Sequence, residues 1–334
     1  MKHGSITCAL AAGIAVCLAA ASAALAADAG QSGVGVAELT PKAERAIDKG
    51  LEYLAKTQHT DGSWGKHKTA TAALCLMAFM VKGHFPGRPP YGEQMDKGVD
   101  FLLKQSAAGR GYMGASMYEH GLATLALAEA WGMTDREGIR DALKRAVGVI
   151  LRSQNPQGGW RYQPAPTDAD ISATVMQVVA LASAKEAGIM VPDSVIKKAV
   201  AYVKSCQDKL SGGFCYQPGG TPGVARTAAG VMSLMMCGQR DAKATLLGLR
   251  WLKKINNDQF ERADGFFFYA HYYGTQAMYQ AGDAWYQDWY PRVRESVLKK
   301  QAKDGSWADG NEIGTPLAIL ILGVPYRFLP TYQR

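Results

Sequence analysis

Four titratable side chains of this sequence stand at the beginning of apolar segments, and imidazole and carboxylate groups are the ones that bind metals or transfer protons. Each of them precedes a threonine by four residues; they are His67, His120, Asp170 and His271. They lie at least 50 residues apart in sequence, so we expect them on different sides of the fold rather than around one ion. The spacing therefore predicts a polar rim that contacts a ligand, without a metal site and without a cofactor.

A second carboxylate, Asp168, stands two residues before Asp170 in the stretch DADISATVMQVVAL of residues 168–181. An aspartate directly before an apolar helix commonly caps that helix through its side chain, so a structural role and a chemical role both stay open. Glycan cleavage would require two carboxylates that face each other across a cleft. Glu119 with Asp170 is the pair that the sequence offers for that chemistry.

A short motif repeats along the chain and defines the elements that must position these residues. Its pattern is Gln, three residues, Gly, one residue, then Trp, as in QHTDGSW at residues 58–64. The complete copies supply three pairs: Gln58 with Trp64, Gln154 with Trp160, and Gln301 with Trp307. Weaker copies raise the total to six, with glycines at 62, 109, 158, 212, 265 and 305. The resulting period of 40–54 residues is typical of stacked supersecondary units.

Each repeat contains two helices of different character. The first is amphipathic, with Ala43, Ile47, Leu51 and Leu54 on one face in the first repeat. The helix after the motif is apolar nearly all round, as in TAALCLMAFM at residues 71–80. Amphipathic helices belong at a surface, and uniformly apolar helices belong inside. The sequence therefore predicts an all-α chain of six helix pairs.

The repeated Gln-x3-Gly-x-Trp motif between helix pairs resembles the QW motif of squalene and oxidosqualene cyclases, whose clan includes the β subunits of protein prenyltransferases. The resemblance extends over residues 40–325. It implies an α/α toroid, in which six inner helices are surrounded by six outer helices. It also implies that the three Gln–Trp pairs named above are structural and fasten the outer layer.

The stretch at residues 168–181 resembles the Asp-x-Asp-Asp-Thr-Ala motif of class II terpene cyclases, whose middle aspartate protonates an alkene or an epoxide. The resemblance implies that Asp170 is a catalytic acid, with Asp168 beside it. It also implies a central cavity lined by aromatic rings, among them Tyr272 and Tyr273, that takes an apolar or isoprenoid-like ligand. The remaining expected ligand contacts are His67, His120, Glu119 and His271 at the polar rim.

Two other functions stay open alongside this one. Protein prenyltransferases hold zinc with Asp, Cys and His, and no Asp-x-Cys pair occurs near the corresponding helix starts, so prenyl transfer to a thiolate is not expected. The chain could be a non-catalytic toroid that binds a peptide or a protein, or a carbohydrate-active enzyme of toroidal fold. The sequence leaves open whether the chain is an enzyme.

The N-terminal residues are typical of a secretory signal peptide. Lys2 and His3 precede an apolar stretch that ends in Ala24-Leu25-Ala26. We therefore expect a signal peptide at 1–26, a linker at 27–40 and the toroid at 41–334, in a periplasmic or secreted protein. A retained N-terminal anchor is the alternative to cleavage. No later stretch reaches the roughly 18 apolar residues that a membrane-spanning helix requires.

Charge and cysteine content narrow the expected partners and chemistry. The formal net charge is +8, but lysines and arginines are mixed with acids and form no basic block interleaved with aromatic residues, so no nucleic-acid partner is expected. An oxidising compartment permits disulfides. Cys206 and Cys215 lie close enough in sequence to form one.

The mature protein is expected to begin at Ala27 or Asp28, because small residues precede that bond as signal peptidases require. N-terminal sequencing of protein recovered from the envelope or the medium of its host checks this. Recovery of the chain with Met1 intact would contradict cleavage.

Overall fold

The computed structural model describes residues 39–309 and 312–329, and these residues are almost entirely helical. The expected signal peptide and most of the expected linker lie outside them. Six helices form an outer layer: α1 (Pro41–Thr57), α3 (Gly92–Ala108), α5 (Ile139–Ser153), α7 (Asp193–Ser205), α9 (Lys243–Lys253) and α12 (Asp283–Lys299). Six form an inner layer: α2 (Lys68–Val81), α4 (Met117–Trp131), α6 (Ile171–Glu186), α8 (Val224–Met236), α11 (Phe267–Ala281) and α13 (Gly314–Leu322). A short helix, α10 (Asn257–Arg262), and two 3-10 turns, Ala263–Gly265 and Val324–Tyr326, complete the described elements.

The two layers differ in burial as their sequences predict. In α1 the buried residues recur every three or four positions, on the face that Ile47, Leu51 and Leu54 share. In α2 every residue from Thr69 to Val81 is buried. An apolar helix with no exposed face must be surrounded on all sides, so the second type occupies the inner layer.

The inner helices form a closed ring. Each packs against the next in chain order, from α2 through α4, α6, α8 and α11 to α13, and α13 packs back against α2. The described residues form no β-strand, and three isolated bridge pairs are their only β-type pairing. The prediction of an all-α toroid of six helix pairs is confirmed.

The turn that carries the repeated motif joins three helices through hydrogen bonds. In the third repeat, the Gln154 Nε2 donates to the Gly158 carbonyl of its own turn and to the Val195 carbonyl of α7, at 2.9 Å each. The Trp160 indole N–H donates to the Ile150 carbonyl of α5 at 2.8 Å, and its backbone N–H donates to Thr174 Oγ1 of α6 at 3.1 Å. One turn therefore ties an outer helix to the next outer helix and to the inner helix between them.

The same pair of hydrogen bonds from a glutamine amide occurs in three other turns. Gln58 binds Gly62 and Gln94, Gln207 binds Gly212 and Ala244, and Gln301 binds Gly305 and Ala46. The hydrogen bond from the Gln301 amide to the Ala46 carbonyl of α1 is 2.8 Å long. It closes the outer layer by joining the end of the toroid to its beginning.

The glycine of the motif is required by close packing as well as by backbone conformation. Gly158 has φ +100°, and a Cβ there would lie 2.2 Å from the Lys198 carbonyl oxygen of α7. Any side chain would push α7 away from the turn and would adopt an unfavourable backbone angle. The glycine therefore lets consecutive repeats approach closely enough for the glutamine bond.

Cys206 and Cys215 are free thiols in this structure, which corrects the expected disulfide. Both are buried, and a backbone bond of 2.8 Å joins the Cys215 N–H to the Cys206 carbonyl. The Cys215 thiol donates to the Gly220 carbonyl at 3.0 Å, so its hydrogen bond is to the backbone of its own loop.

Among the described residues, the helices are too short or too polar for any of them to span a bilayer.

Replacing Trp160 with alanine is expected to lower the free energy of unfolding by about 3–5 kcal/mol, because the indole is fully buried and its loss leaves a cavity. Chemical denaturation followed by circular dichroism measures this. Trp285→Ala is the matched control, since Trp285 is half-buried on α12 and its loss should cost about 1 kcal/mol. Equal losses in the two variants would contradict the fastening role of the turn.

Candidate functional site

The first turns of the inner helices meet at one end of the ring, which we call the mouth. The N–H of Met117 in α4 donates to the Tyr162 carbonyl in the loop before α6, at 2.8 Å. The N–H of Ile171 in α6 donates to the Tyr216 carbonyl in the loop before α8, at 2.9 Å. Each of these loops therefore contacts the start of the preceding inner helix, and the side chains of the loops lie close together at the mouth.

Asp170 lies at the mouth with its side chain fully buried. It is the N-cap of α6, and its Oδ1 accepts the Ala173 N–H at 2.8 Å and the Ser172 hydroxyl at 2.5 Å. Its Oδ2 lies 3.3 Å from Nη1 of Arg161. These contacts are those of a helix cap and of an ion-pair partner.

Asp168 shares the same arginine but is much more exposed. Its Oδ2 lies 3.5 Å from Arg161 Nε, and its side chain is 55 % exposed. The Gln217 amide donates to Asp168 Oδ1 at 3.2 Å and to the Ala169 carbonyl at 2.8 Å. Arg161 therefore stands between two carboxylates, and the three groups together carry one net negative charge.

Tyrosine rings surround this ionic group. The Arg161 guanidinium carbon lies 4.8 Å from the ring centre of Tyr162 and 5.4 Å from that of Tyr216, and the two phenols are hydrogen-bonded to each other. The ring of Tyr118 stacks on that of Tyr162 at 5.6 Å. The Tyr118 hydroxyl donates to Ser172, which extends the hydrogen-bond chain to Asp170.

Burial raises the pKa of the Tyr118 phenol, and the negative charge of Asp170 adds to the increase. The same two causes raise the pKa of Tyr216, together with its hydrogen bond to Tyr162. These phenols are therefore neutral at physiological pH and serve as hydrogen-bonding and stacking groups.

Aromatic side chains from α11 cross the ring behind the mouth. Tyr272 and Tyr273 are both buried, with ring centres 4.9 Å apart, and Tyr269 lies 5.0 Å from Tyr273. The Tyr273 hydroxyl contacts Met176 Sδ of α6 at 2.9 Å. Because α8 lies between α6 and α11 in the ring, this contact passes over α8 on the inner side of the ring.

His120 and His271 lie between the inner and outer layers, which corrects the expectation that they line the mouth. The His120 Nδ1 accepts the Met113 N–H at 3.1 Å, so its Nε2–H donates to the Ala146 carbonyl of α5 at 3.1 Å. His271 Nε2 bonds the Phe260 carbonyl of α10 at 3.0 Å. Both imidazoles therefore connect an inner helix to the outer layer.

The difference arises from where the inner helices begin. Asp170 is an N-cap and so is the exposed His67, which makes no capping bond through its side chain. In contrast, α4 begins at Met117 and α11 at Phe267. In α4 and α11, the residue four places before the repeated threonine is His120 or His271. It therefore lies inside the first turns of the helix, where it faces outward.

Glu119 and Asp170 have different neighbours. It lies in the first turn of α4, and its side chain packs so closely on Gly114 that a Cβ there would lie 2.6 Å from Glu119 Oε2. Asp170, in contrast, is paired with Arg161. The described residues also contain no cluster of three or more His, Cys, Asp or Glu side chains arranged to hold a metal ion.

Sequence reasoning missed Arg161, Tyr118, Tyr162 and Tyr216. We call these three tyrosines, together with Tyr269 at the start of α11, the mouth tyrosines. A signal for two of them is present, because the third and fourth turns continue alike as GGWRYQP at 158–164 and GGFCYQP at 212–218. The shared Tyr-Gln-Pro after the motif aromatic marks the two loops that meet at the mouth.

Two pockets lie away from this group. One of about 880 Å³ is at the opposite end of the ring, between the ends of α6 and α8 and the start of α7, with Leu181, Val200 and Met235 in its wall. The other, of about 380 Å³, lies between the first and sixth turns, beside Trp64 and Trp307. Neither contains Asp168, Asp170 or a mouth tyrosine, so neither is the candidate site.

The stability of the protein is expected to fall as the pH drops from 6.5 to 4. Burial lowers the pKa of His120 and of His271 to about 4 each, whereas an unfolded chain protonates histidine near its ordinary value of about 6.5. The unfolded state therefore binds more protons below pH 6.5, and each histidine costs up to about 3 kcal/mol as the pH falls to 4. Melting temperatures across this range measure the loss.

The variant His120→Gln should flatten the dependence of the melting temperature on pH, and the control His67→Gln, at an exposed histidine, should not. A wild-type melting temperature that does not change with pH would contradict buried neutral imidazoles.

The fold is similar to that of solved enzymes of two kinds. An alpha-1,6-mannanase from Salegentibacter sp. HEL1_6, solved as an inactive variant with alpha-1,6-mannotetrose, is 9 % identical with a TM-score of 0.65, over 86 % of this chain and 100 % of the mannanase. The type II terpene cyclase MstE from Scytonema is 13 % identical with a TM-score of 0.57, over 87 % of this chain and 100 % of the cyclase. A variant of MstE was solved with geranylgeranyl dihydroxybenzoate. At these identities the likeness shows the fold alone.

The family of the chain is shown by its sequence. No curated protein matches it. However, the sequence profile described as "Prenyltransferase alpha-alpha toroid domain" matches residues 91–267, which is just over half of the 334 residues. The chain therefore belongs to the prenyltransferase alpha-alpha toroid domain family.

Proposed function

We propose that this toroid is a non-catalytic binding protein that holds a peptide or protein segment at its mouth. The observation that carries the proposal is the contact between Tyr273 of α11 and Met176 of α6, which passes over α8 behind the mouth. A ligand that meets this contact is held at the mouth instead of deep along the ring axis.

The surface of the mouth has the composition of a protein-binding site. Tyr162 is 37 % exposed and Phe266, which precedes α11, is 61 % exposed. Arg161 lies among tyrosine rings, with Asp168 at the edge. Aromatic residues and arginine are enriched where proteins bind one another, because they supply large contact area and hydrogen bonds at the same time.

The contacts of Asp170 argue against acid catalysis of the cyclase type. A general acid must carry a proton, and Asp170 accepts two hydrogen bonds while it pairs with Arg161. Ile171 also stands where the cyclase motif has its third acid. Glycan cleavage is not favoured either, because the exposed Asp168 and the buried Asp170 are bound to the same guanidinium.

An isoprenoid-like ligand is the second candidate, and a specific observation favours it. Tyr269, Tyr272 and Tyr273 form a row of aromatic rings in the ring interior, and aromatic faces stabilise cationic or apolar ligands. Such a ligand would have to displace Tyr273 from Met176. The two candidates therefore differ in whether the ligand stays at the mouth or enters the ring.

The place of action follows from the N-terminal sequence. The basic start, apolar stretch and Ala-x-Ala exit support export, so we propose that binding takes place in the periplasm or outside the cell.

A displayed library of random 12-residue peptides, selected on the purified protein, tests the proposal. We expect selected peptides to bind with saturable affinity in calorimetry, and Tyr162→Ala and Arg161→Ala to weaken binding at least about tenfold, as loss of a central aromatic or arginine contact does. Met190→Ala is the control, because Met190 is an exposed apolar side chain between α6 and α7, at the opposite end of the ring.

The competing outcome uses geranylgeraniol as the probe. Saturable binding of geranylgeraniol that Tyr273→Ala changes and Met190→Ala does not, without any selected peptide, would replace the proposal with the second candidate. If neither peptides nor geranylgeraniol bind the folded protein, both candidates are wrong.

A further inference from the structure

We propose that one side of the outer layer docks on an anionic lipid bilayer. This side consists of the outer helices α5, α7 and α9, which we call the basic face, and Leu210 beside it enters the bilayer. The proposal goes beyond ligand binding at the mouth and does not depend on it. It is carried by an uneven distribution of charge and by a leucine that the fold holds in the solvent.

The charge of the outer layer is concentrated on half of its helices. The helices α5, α7 and α9 contain ten lysines and arginines and two aspartates, so their net charge is +8. The helices α1, α3 and α12 contain nine basic and nine acidic residues, so their net charge is zero. All ten cations of the basic face are exposed: Arg140, Lys144, Arg145, Arg152, Lys197, Lys198, Lys204, Lys243, Arg250 and Lys253. The formal net charge of the whole chain is also +8, so the rest of the chain sums to zero.

The three helices are neighbours, so their charges form one surface. The Gln154 amide of the turn after α5 donates to the Val195 carbonyl of α7. The Gln207 amide of the turn after α7 donates to the Ala244 carbonyl of α9. On α7, in the middle, the exposed positions recur every three or four residues and therefore lie on the outward side of the helix. They include Lys197, Lys198, Ala201 and Lys204.

Most cations of the basic face have no carboxylate partner. Within the described part of the chain only two of the ten form an ion pair, Lys144 with Asp141 and Lys253 with Asp288, at 3.4 Å each. Asp193, the other acid of the basic face, pairs with Lys185 of α6. A surface with an excess of one charge attracts partners of the opposite charge. The basic face therefore selects an anionic partner.

Leu210 lies in the turn after α7, with 98 % of its surface exposed. This turn is one residue longer than the complete copies of the motif. The Gln207 amide bonds the carbonyl of Gly212, five residues on, whereas the Gln154 amide bonds that of Gly158, four residues on. The longer turn thus presents an apolar side chain next to the basic face.

Hydrogen bonds fix the conformation of this turn. The Asp208 Oδ2 accepts the N–H and the hydroxyl of Ser211, at 2.8 and 2.5 Å. The backbone of Asp208 accepts the Gly212 N–H and donates to the Gly213 carbonyl, at 2.9 Å each. Folding Leu210 back onto the protein would break these bonds. Met190, which precedes α7, is also 87 % exposed, so an exposed apolar side chain flanks α7 at each end.

A bilayer uses both features of this surface. Single exposed apolar residues are common on proteins, but basic residues together with exposed apolar ones are the composition that binds an anionic membrane surface. The cations attract the headgroups, and the leucine enters the boundary with the acyl chains. A soluble polyanion would pair with the cations and leave Leu210 in water. Because the outer layer curves, α5 and α9 lie farther from a flat surface than α7, but their charges act over about one Debye length, ~8–10 Å.

Sedimentation of the purified full chain with lipid vesicles tests the proposal. Binding to vesicles of phosphatidylcholine and phosphatidylglycerol in equal parts should be at least about 100-fold tighter than to phosphatidylcholine alone, because each cation near the surface contributes a factor of about five. Raising the salt concentration should weaken this binding. Equal binding to both kinds of vesicle, or none to the anionic ones at about 0.15 M salt, would overturn the proposal.

Paired charge variants separate the basic face from net charge. Lys197→Gln with Lys198→Gln, on α7, should weaken binding to the anionic vesicles about 25-fold. Lys42→Gln with Lys49→Gln is the matched control: it removes the same charge from α1, three places from α7 around the ring of six, and should cost less than about twofold. All four lysines are exposed, so both variants should fold, which thermal melting checks. Equal losses of binding would mean that net charge alone attracts the membrane, and the basic face would be wrong.

The leucine distinguishes a bilayer from an acidic macromolecule. Leu210→Ser should weaken binding to the anionic vesicles about tenfold, because a leucine no longer leaves water. Phe328→Ser is the control, since Phe328 is 48 % exposed and follows α13, outside the basic face. None of the altered residues belongs to the ionic group or the mouth tyrosines, so peptide binding at the mouth should be the same in every variant. Vesicle binding that Leu210→Ser leaves unchanged would overturn insertion into a bilayer, and tight binding of poly-glutamate in that case would assign the basic face to an acidic macromolecule.

Discussion

A single side-chain amide holds four of the six motif-bearing turns of this ring to the next repeat. The Gln154 amide has two N–H groups, and it uses one on its own turn and the other on α7 of the next repeat. Gln58, Gln207 and Gln301 do the same. Each bond contributes on the order of 1 kcal/mol, but their geometry sets how far apart consecutive repeats lie. A ring can close only if that spacing is kept six times, and the bond from Gln301 to α1 completes it.

The same turns determine where the candidate site lies. Trp160 is held by its indole N–H on α5 and by its backbone N–H on Thr174 of α6. With the aromatic residue fixed at both points, the next two residues, Arg161 and Tyr162, must leave the turn at the mouth. Phe214 is held in the same way by Thr227, and Tyr216 follows it. The turns that stabilise the ring thus also position the residues of the site, because those residues directly follow the motif aromatic residue.

The ionic group at the mouth exceeds what helix capping requires. Thr40 caps α1 and Ser116 caps α4 through one hydroxyl each, whereas Asp170 caps α6 and also pairs with a half-buried arginine under tyrosine rings. Burying a carboxylate is costly unless it is paired and hydrogen-bonded, and removing one partner of such a pair destabilises a protein strongly. A group with this cost is more readily understood as part of a binding site than as a cap alone.

The sequence by itself determined the all-α class, the six repeats and the ring, because helical periodicity and the Gln-Gly-Trp turns are encoded within stretches of about 20 residues or fewer. It also placed Asp168 and Asp170 beside the start of α6. It placed His120 and His271 wrongly, because the spacing to the threonines does not reveal that α4 and α11 begin one turn earlier. It also suggested a disulfide between Cys206 and Cys215, which are free thiols in the structure.

Only the tertiary structure decided which side chains meet. Tyr118 and Ser172 are 54 residues apart, and Tyr273 and Met176 are 97 residues apart. Nothing local in the sequence relates such residues, since their distance depends on how many repeats the ring contains and how closely the repeats pack. The mouth, with Arg161 between two carboxylates and four tyrosines, exists because closure of the ring brings separate helix starts to one end. Closure depends on all six repeats together, so no shorter stretch of the sequence determines it.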